Sequence, residues 1–403
     1  MIQQPRQAIE AIQHALEKTA SSELAALYLY GSIVKEKYIP GLSDINLLAV
    51  VKEGTNIHQI RDALRPIWLE HSHAIRQMPL IATPASLQRH LQLFPILAAH
   101  LVHYGRLLAG ESLEINAQPI TLAERLSMMA QTSQAASESL APALQSESDQ
   151  KTAVEKLFRL ANFLGIDKNS ETDSPLETVA AVQAHLARLL TGHPSLCWQG
   201  PAPTGAPPMV DSLVAIYEMQ DRVILLLPDW TPERIEANIL NTDWTAVSES
   251  LEGQYKGLQI TTPSLLRLIY KYDKAADHFF QNYQHAWGQT PLASLEVPHW
   301  LVYRDLARLP TIMEIKSLPH AYFIASDDQL DMLIHDFQNR LLNNQLREEL
   351  MIRLDNRERG KRPPTLPDRQ SPSHVRIDAI FNQFNWWANH YSTIMHHKKN
   401  NPP

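Results

Sequence analysis

Apolar residues in the N-terminal part of the chain alternate between two spacings. Ile9, Ile12 and Leu16 recur at helical intervals, which predicts a helix over 7–19. Leu24 to Tyr30 is a short, nearly continuous apolar run that stops at Gly31-Ser32 and reads as a buried strand. Ile45 to Val51 reads as a second strand closed by Gly54. Ile60, Leu64, Ile67 and Trp68 return to helical spacing, and Ile75 to Ala82 is a third strand candidate. Thr83-Pro84 then opens a helix, because threonine caps free amides and proline suits the first helical position. Helix, strand, strand, helix and strand in that order make an α/β unit.

After Gly110 the pattern becomes helical over 122–141, 152–164 and 175–191, opened by the capping box Thr121-Leu122-Ala123-Glu124. Gly200 to Pro208 is rich in proline and marks a linker. Thr231-Pro232 and Thr262-Pro263 begin further helices, and Ser326 with Gln329 forms a second capping box before a helix to about Leu354. Asp355 to His374 is polar and reads as a loop or tether. Its arginines and lysine (Arg353, Arg357, Arg359, Lys361, Arg362) alternate with acids as on a solvated segment. Ile377, Phe381, Phe384, Trp387, Tyr391 and Ile394 form one stripe of a last helix, a packing face. The expected fold is a small N-terminal α/β domain followed by a large, mainly α-helical region. The expected domains are 1–115, 116–200 and 206–403, with no internal repeat.

Length and charge narrow the function. At 403 residues the chain exceeds one ordinary core. A net charge of −7 disfavours a general nucleic-acid binder, which would carry a basic face. Cys197 is the sole cysteine, so neither an internal disulfide nor a cysteine-built metal site can form. His71, His73, His90, His100 and His103 lack the spacing of a zinc motif. The N-terminus has no signal-type apolar segment and no run is long enough to span a bilayer, so a cytoplasmic protein is expected.

The informative string is Leu29-Tyr30-Gly31-Ser32, eleven residues, then Asp44-Ile45-Asn46-Leu47. Glycine lets the backbone approach phosphate without a Cβ in the way. The serine hydroxyl and following amides can bind phosphate oxygens. Positions i and i+2 on a strand share a face, so Asp44 and residue 46 point the same way. This combination resembles the polymerase-β-type nucleotidyltransferase superfamily. The resemblance covers residues 7 to about 112 and is carried by residue types, spacing and flanking strands. It implies a nucleoside triphosphate held at Gly31, Ser32 and Asn46, Mg²⁺ on Asp44, and transfer of a nucleotidyl group to an acceptor hydroxyl.

Two departures bear on that chemistry. The second acid position is Asn46, which offers an oxygen but no charge, and the third should fall near Arg76 to Ile81, where no carboxylate stands. Mg²⁺ sheds its waters reluctantly and is held poorly by one anion. The alternative is therefore an inactive descendant that binds nucleotide, or a protein partner through its helical region. An acid from that region, such as Asp211, Glu218 or Asp221, placed beside Asp44 would favour the enzyme. Absence of a sheet from 24–32, 45–51 and 75–82 would make the motif a coincidence.

Overall fold

The computed structural model describes residues 3–20, 22–36, 38, 43–115, 119–144, 151–168, 173–200, 213–219, 222–229, 231–250, 257–280, 284–358 and 360–400. It is 62% helical with two small mixed sheets. Contacts divide the chain into two units, Met1–Ile120 with Val302–Pro403, and Thr121–Leu301. The expected boundaries were 115/116 and 200/206. The proline-rich stretch thought to mark a boundary lies, from residue 201 on, outside the described residues.

The first unit opens with α1 (Gln3–Thr19), β1 (Leu24–Tyr30), β2 (Asn46–Val51), α2 (Ile57–His71), β3 (Leu80–Ala82), α3 (Pro84–Leu93), α4 (Pro95–Tyr104) and β4 (Arg106–Gly110). The sheet order is β3-β2-β1-β4. β1 runs antiparallel to β2 and β4, and β2 runs parallel to β3. Alternate residues of β1 and β2 face opposite sides. Ala26, Tyr28, Leu48 and Val50 join Leu87 and Leu91 of α3 and Ala98 and Leu101 of α4 in one core. Burying each such leucine contributes roughly 1.5–3 kcal/mol. The third strand is shorter than the expected 75–82, and β4 was not foreseen. It is a half-exposed edge strand whose burial does not alternate.

The second unit holds α5 (Leu122–Glu138), α6 (Leu140–Leu144), α7 (Lys151–Phe163), α8 (Pro175–Leu190), β5 (Ala215–Met219), β6 (Arg222–Leu226), α9 (Pro232–Asn241), α10 (Trp244–Ser250), β7 (Leu258–Thr261), α11 (Pro263–Tyr272), α12 (Ala275–Phe280) and β8 (Gln284–Gly288). The helices α5 to α8 lie where helical patterns were expected. The four short strands add a second sheet to a region beyond residue 206 that is otherwise mainly helical, as expected.

The second sheet, β7-β6-β5-β8, repeats the first in order and strand direction. The repeat extends to register. Ala26-Leu27-Tyr28 pair with Gly110, Ala109 and Leu107, with a shift between Leu27 and Tyr28. Ala215-Ile216-Tyr217 pair with Gly288, Trp287 and His285, with a shift at the same place. Gly110 (φ +77°) and Gly288 (φ +85°) would each drive a Cβ into a strand carbonyl, that of Ala25 at 2.3 Å and of Val214 at 2.2 Å. Thr83-Pro84 and Thr262-Pro263 cap the helices that follow the third strands. The chain thus contains an internal repeat that its sequence pattern did not disclose.

The first unit is completed, from Val302 on, by the rest of α13 (His299–Ile312), a π-helical turn Met313–Ser317, α14 (Leu318–Ile324), α15 (Leu330–Leu354) and α16 (Ser373–Asn400). Ile315 packs on the face of the first sheet that α3 and α4 cover. Buried Arg61 of α2 donates to the carbonyls of Tyr322 (3.1 Å) and Ala325 (2.8 Å) and to Asp327 Oδ1 (2.8 Å). The stripe on α16 is core, with Phe384 and Tyr391 fully buried. The segment after α15 is the expected loop, largely exposed but anchored at a few points. Arg357 donates to Glu348 Oε1 (2.6 Å) and to the Tyr303 hydroxyl (3.2 Å), and Gln383 donates to the Pro364 carbonyl.

Candidate functional site

The motif residues gather at one end of the first sheet. Tyr30, the last residue of β1, pairs with Asn46, the first of β2. Gly31 turns away at φ +87°, and a Cβ there would lie 2.5 Å from Asn46 Nδ2. Only glycine closes this turn against the asparagine without displacing it. Asn46 Nδ2 in turn reaches the Asp44 carbonyl at 3.5 Å. Ser32 begins the turn over residues 32–36. In that turn Lys35 Nζ lies 3.4 Å from His100 Nε2 and 4.3 Å from the centre of the Tyr104 ring. Burial, then the charge of Lys35, hold His100 below the ordinary histidine range.

Asp44 is committed to the backbone. Its Oδ1 accepts from the Ile45 N–H (2.8 Å) and the Arg76 N–H (3.0 Å), tying the approach to β2 to the segment before β3. Burial raises its carboxyl above the usual carboxylate range, against the pull of those amides and of the charges on Arg76 and His320. The phenols of Tyr30 and Tyr38 are raised by burial and then by Asp44.

His320 of α14 was not singled out from the sequence, where 275 residues separate it from Asp44 and no spacing links them. Its Nδ1 accepts from the Met78 N–H at 3.2 Å, so the neutral ring carries its proton on Nε2. Trp68 meets the ring edge-on with centroids 5.5 Å apart. Burial lowers its basicity, Asp44 raises it, and Lys316 lowers it.

The charged groups acting on Asp44 are thus Arg76 and His320, and neither is a carboxylate. Among the described residues no set of three His, Cys, Asp or Glu could hold a metal ion. Of the acids suggested as substitutes, Glu218 lies on β5 of the other unit, while Asp211 and Asp221 fall outside the described residues.

The corresponding end of the second sheet lacks the motif altogether. Matching registers place Arg222 at the position of Asn46. Two residues separate Met219 from Arg222, where fifteen separate Tyr30 from Asn46. Arg222 Nη1 donates to Glu138 Oε1 at 2.7 Å.

No protein-family model matches the chain, and none of the curated proteins matches it. Among solved structures, the spectinomycin adenyltransferase AAD(9) from Enterococcus faecialis, crystallised with ATP and spectinomycin, is similar at 14% identity with a TM-score of 0.29. The match covers 49% of this chain and 91% of that one. A likeness of this degree carries no functional weight. No helix among the described residues is long and apolar enough to cross a membrane.

Proposed function

We propose that the first unit carries a nucleotidyltransferase-type domain that binds the phosphates of a nucleoside triphosphate without the two-metal chemistry of that superfamily. The observation that carries this reading is the charge around Asp44. The one carboxylate present accepts two backbone N–H groups through Oδ1 and is flanked by Arg76 and His320. A cation held there would meet a guanidinium and an imidazole, with Asn46 supplying no charge. This donor set does not fit Mg²⁺, which needs near-octahedral oxygen ligands and anionic neighbours.

An anion fits better. Gly31 leaves the turn open to phosphate, and Ser32 offers a hydroxyl and the amides that follow it. Arg76 is exposed, so its guanidinium is free to pair with phosphate oxygens. The His320 Nε2–H supplies a neutral donor. Asp44 is then a positioning residue that fixes Arg76 by its main chain. The second sheet has neither the glycine-serine turn nor the acid, so one nucleotide per chain is expected.

The competing reading is nucleotidyl transfer from the triphosphate to an acceptor hydroxyl. It is favoured by Asp44 Oδ2, which takes no hydrogen bond from any described residue. Calorimetric titration of ATP and GTP with and without Mg²⁺, beside Arg76→Ala and Asp44→Ala, separates the two. Binding at a 1:1 ratio in EDTA, weakened by Arg76→Ala and without pyrophosphate release, supports phosphate binding. Strictly Mg²⁺-dependent binding lost in Asp44→Ala, with pyrophosphate formed, supports transfer. No binding of either nucleotide under both conditions refutes both.

A further inference from the structure

At the opposite end of the first sheet lies a cavity of about 610 Å³. It opens where β2 runs out into Lys52 and Glu53 and where β3 hands over to Thr83, with α16 as its far wall. The six residues of β2 separate its mouth from Asp44 by roughly 20 Å, at about 3.3 Å per strand residue. It is therefore not part of the phosphate site. Its volume lies within the range of small-molecule sites, about 300–1,000 Å³.

The lining is acidic and incompletely satisfied. Glu314, only 9% exposed, bonds Arg89 through Oε2. No described residue donates to its Oε1, and Glu314 lines the cavity. Arg89 also donates through Nη1 to Asn385 Oδ1 (3.1 Å) and Asn389 Oδ1 (2.6 Å), while its buried Nε has no partner among the described residues. Asp378 lines the same space and meets His58 Nε2 at 3.2 Å. Glu53 stands at the rim, and no ion pair among the described residues engages it. Among the described residues of the lining Lys52 is the one permanently charged cation, and Phe381 adds an aromatic wall. Three carboxylates against two permanent cations, Lys52 in the lining and Arg89 behind Glu314, leave one negative charge in excess. Burial and then Glu53 push the Glu314 carboxyl up to about 7 against the pull of Arg89, as expected where negative charge is crowded and desolvated.

A metal ion does not answer this arrangement, because no three ligating side chains converge among the described residues. We propose that the cavity binds a small organic cation, a primary amine or guanidinium, whose charged head lies between Glu314 and Asp378 and whose apolar body packs on Phe381. Such a head donates to Glu314 Oε1, satisfies the nearly buried oxygen and offsets the repulsion from Glu53. This inference is independent of the phosphate-binding reading, which concerns the other end of the sheet.

The test uses the full chain and agmatine, which carries a guanidinium and an amine, with 1,4-butanediol as its uncharged counterpart. Calorimetry is expected to show one agmatine per chain and no binding of the diol. Asp378→Asn, at a half-exposed position that tolerates the change, is expected to weaken agmatine about tenfold, the loss of one charge-assisted contact. Glu314→Gln is expected to weaken it at least as much, and Arg76→Ala is expected to leave it unchanged. Absence of agmatine binding at millimolar concentration overturns the proposal. Equal binding of the diol, or binding indifferent to Asp378→Asn, does so too, whether or not Glu314→Gln folds.

Discussion

Three glycines of the first unit share one backbone conformation but differ in their surroundings, so alanine substitutions there separate strain from contact. Gly54, Gly31 and Gly110 have φ of +82°, +87° and +77°. Each alanine pays roughly 1–2 kcal/mol for the left-handed backbone, less about 0.4–1 kcal/mol regained from a stiffer unfolded chain. A Cβ at Gly54 meets nothing within 4 Å, so Gly54→Ala should cost about 1 kcal/mol. At Gly31 it meets Asn46 Nδ2 at 2.5 Å, the end of a side chain that can rotate away. The bond lost there is only the 3.5 Å contact to the Asp44 carbonyl. Gly31→Ala should therefore cost about 2 kcal/mol, strain plus a modest overpacking penalty. At Gly110 the Cβ lies 2.3 Å from the Ala25 carbonyl oxygen and 2.9 Å from the Ala26 Cα. Backbone inside a sheet cannot step aside, so Gly110→Ala should cost about 3 kcal/mol or more. Thermal unfolding followed by hydrogen exchange in β1 reads the series, at about 2–4 °C per kcal/mol for a unit of this size. Equal losses for Gly54→Ala and Gly110→Ala, or the largest loss at Gly31, would refute the reasoning.

Glu314 and His90 make opposite pH contributions to the first unit. The folded pKa of Glu314 is raised to about 7, so its contribution is full below the unfolded value near 4.5 and is lost as pH rises through 7. Glu314→Gln should remove that slope, on the order of a few kcal/mol at about 1.4 kcal/mol per pKa unit, in denaturant titrations between pH 5 and pH 8. An unchanged slope counts against it. Burial holds His90 down at about 3, so its contribution is present above the unfolded value of 6.5 and is lost as pH falls below it. His90→Gln should flatten the acid limb of the same titration. Arg61→Ala strands the carbonyls of Tyr322 and Ala325 and should cost about 2–4 kcal/mol by denaturant midpoint. A loss of a few tenths would show that the clamp between α2 and α14 contributes little.

The parts of this molecule that were legible share strong local signals. Helix α5 announces itself by a capping threonine, α8 by proline at its first position, and both by long periodic faces. The first two strands and their turn were readable because Gly31, Ser32 and Asp44 carry a spacing that few other structures need. The second sheet was not, for a physical reason. Leu213 to Tyr217 and Val223 to Leu227 are buried throughout, so neither strand alternates. Their match to β1 and β2 lies in registers and a shared bulge, which leave only Ala-x-Tyr, a closing glycine and Thr-Pro in the letters. At the candidate site the sequence singled out Gly31, Ser32, Asp44 and Asn46 but could not show that Asp44 accepts backbone amides. Nor could it bring in His320, which reaches the site only because α14 folds back against β3.

The central claim is that the site around Asp44, Arg76 and His320 attracts phosphate rather than metal. Equilibrium dialysis of labelled ATP in EDTA and in Mg²⁺, on the intact protein and on Arg76→Ala, tests it most directly. The account predicts one ATP per chain in EDTA, no tightening by Mg²⁺, and clear weakening in Arg76→Ala. Binding that appears only with Mg²⁺ and survives the loss of Arg76 would contradict it.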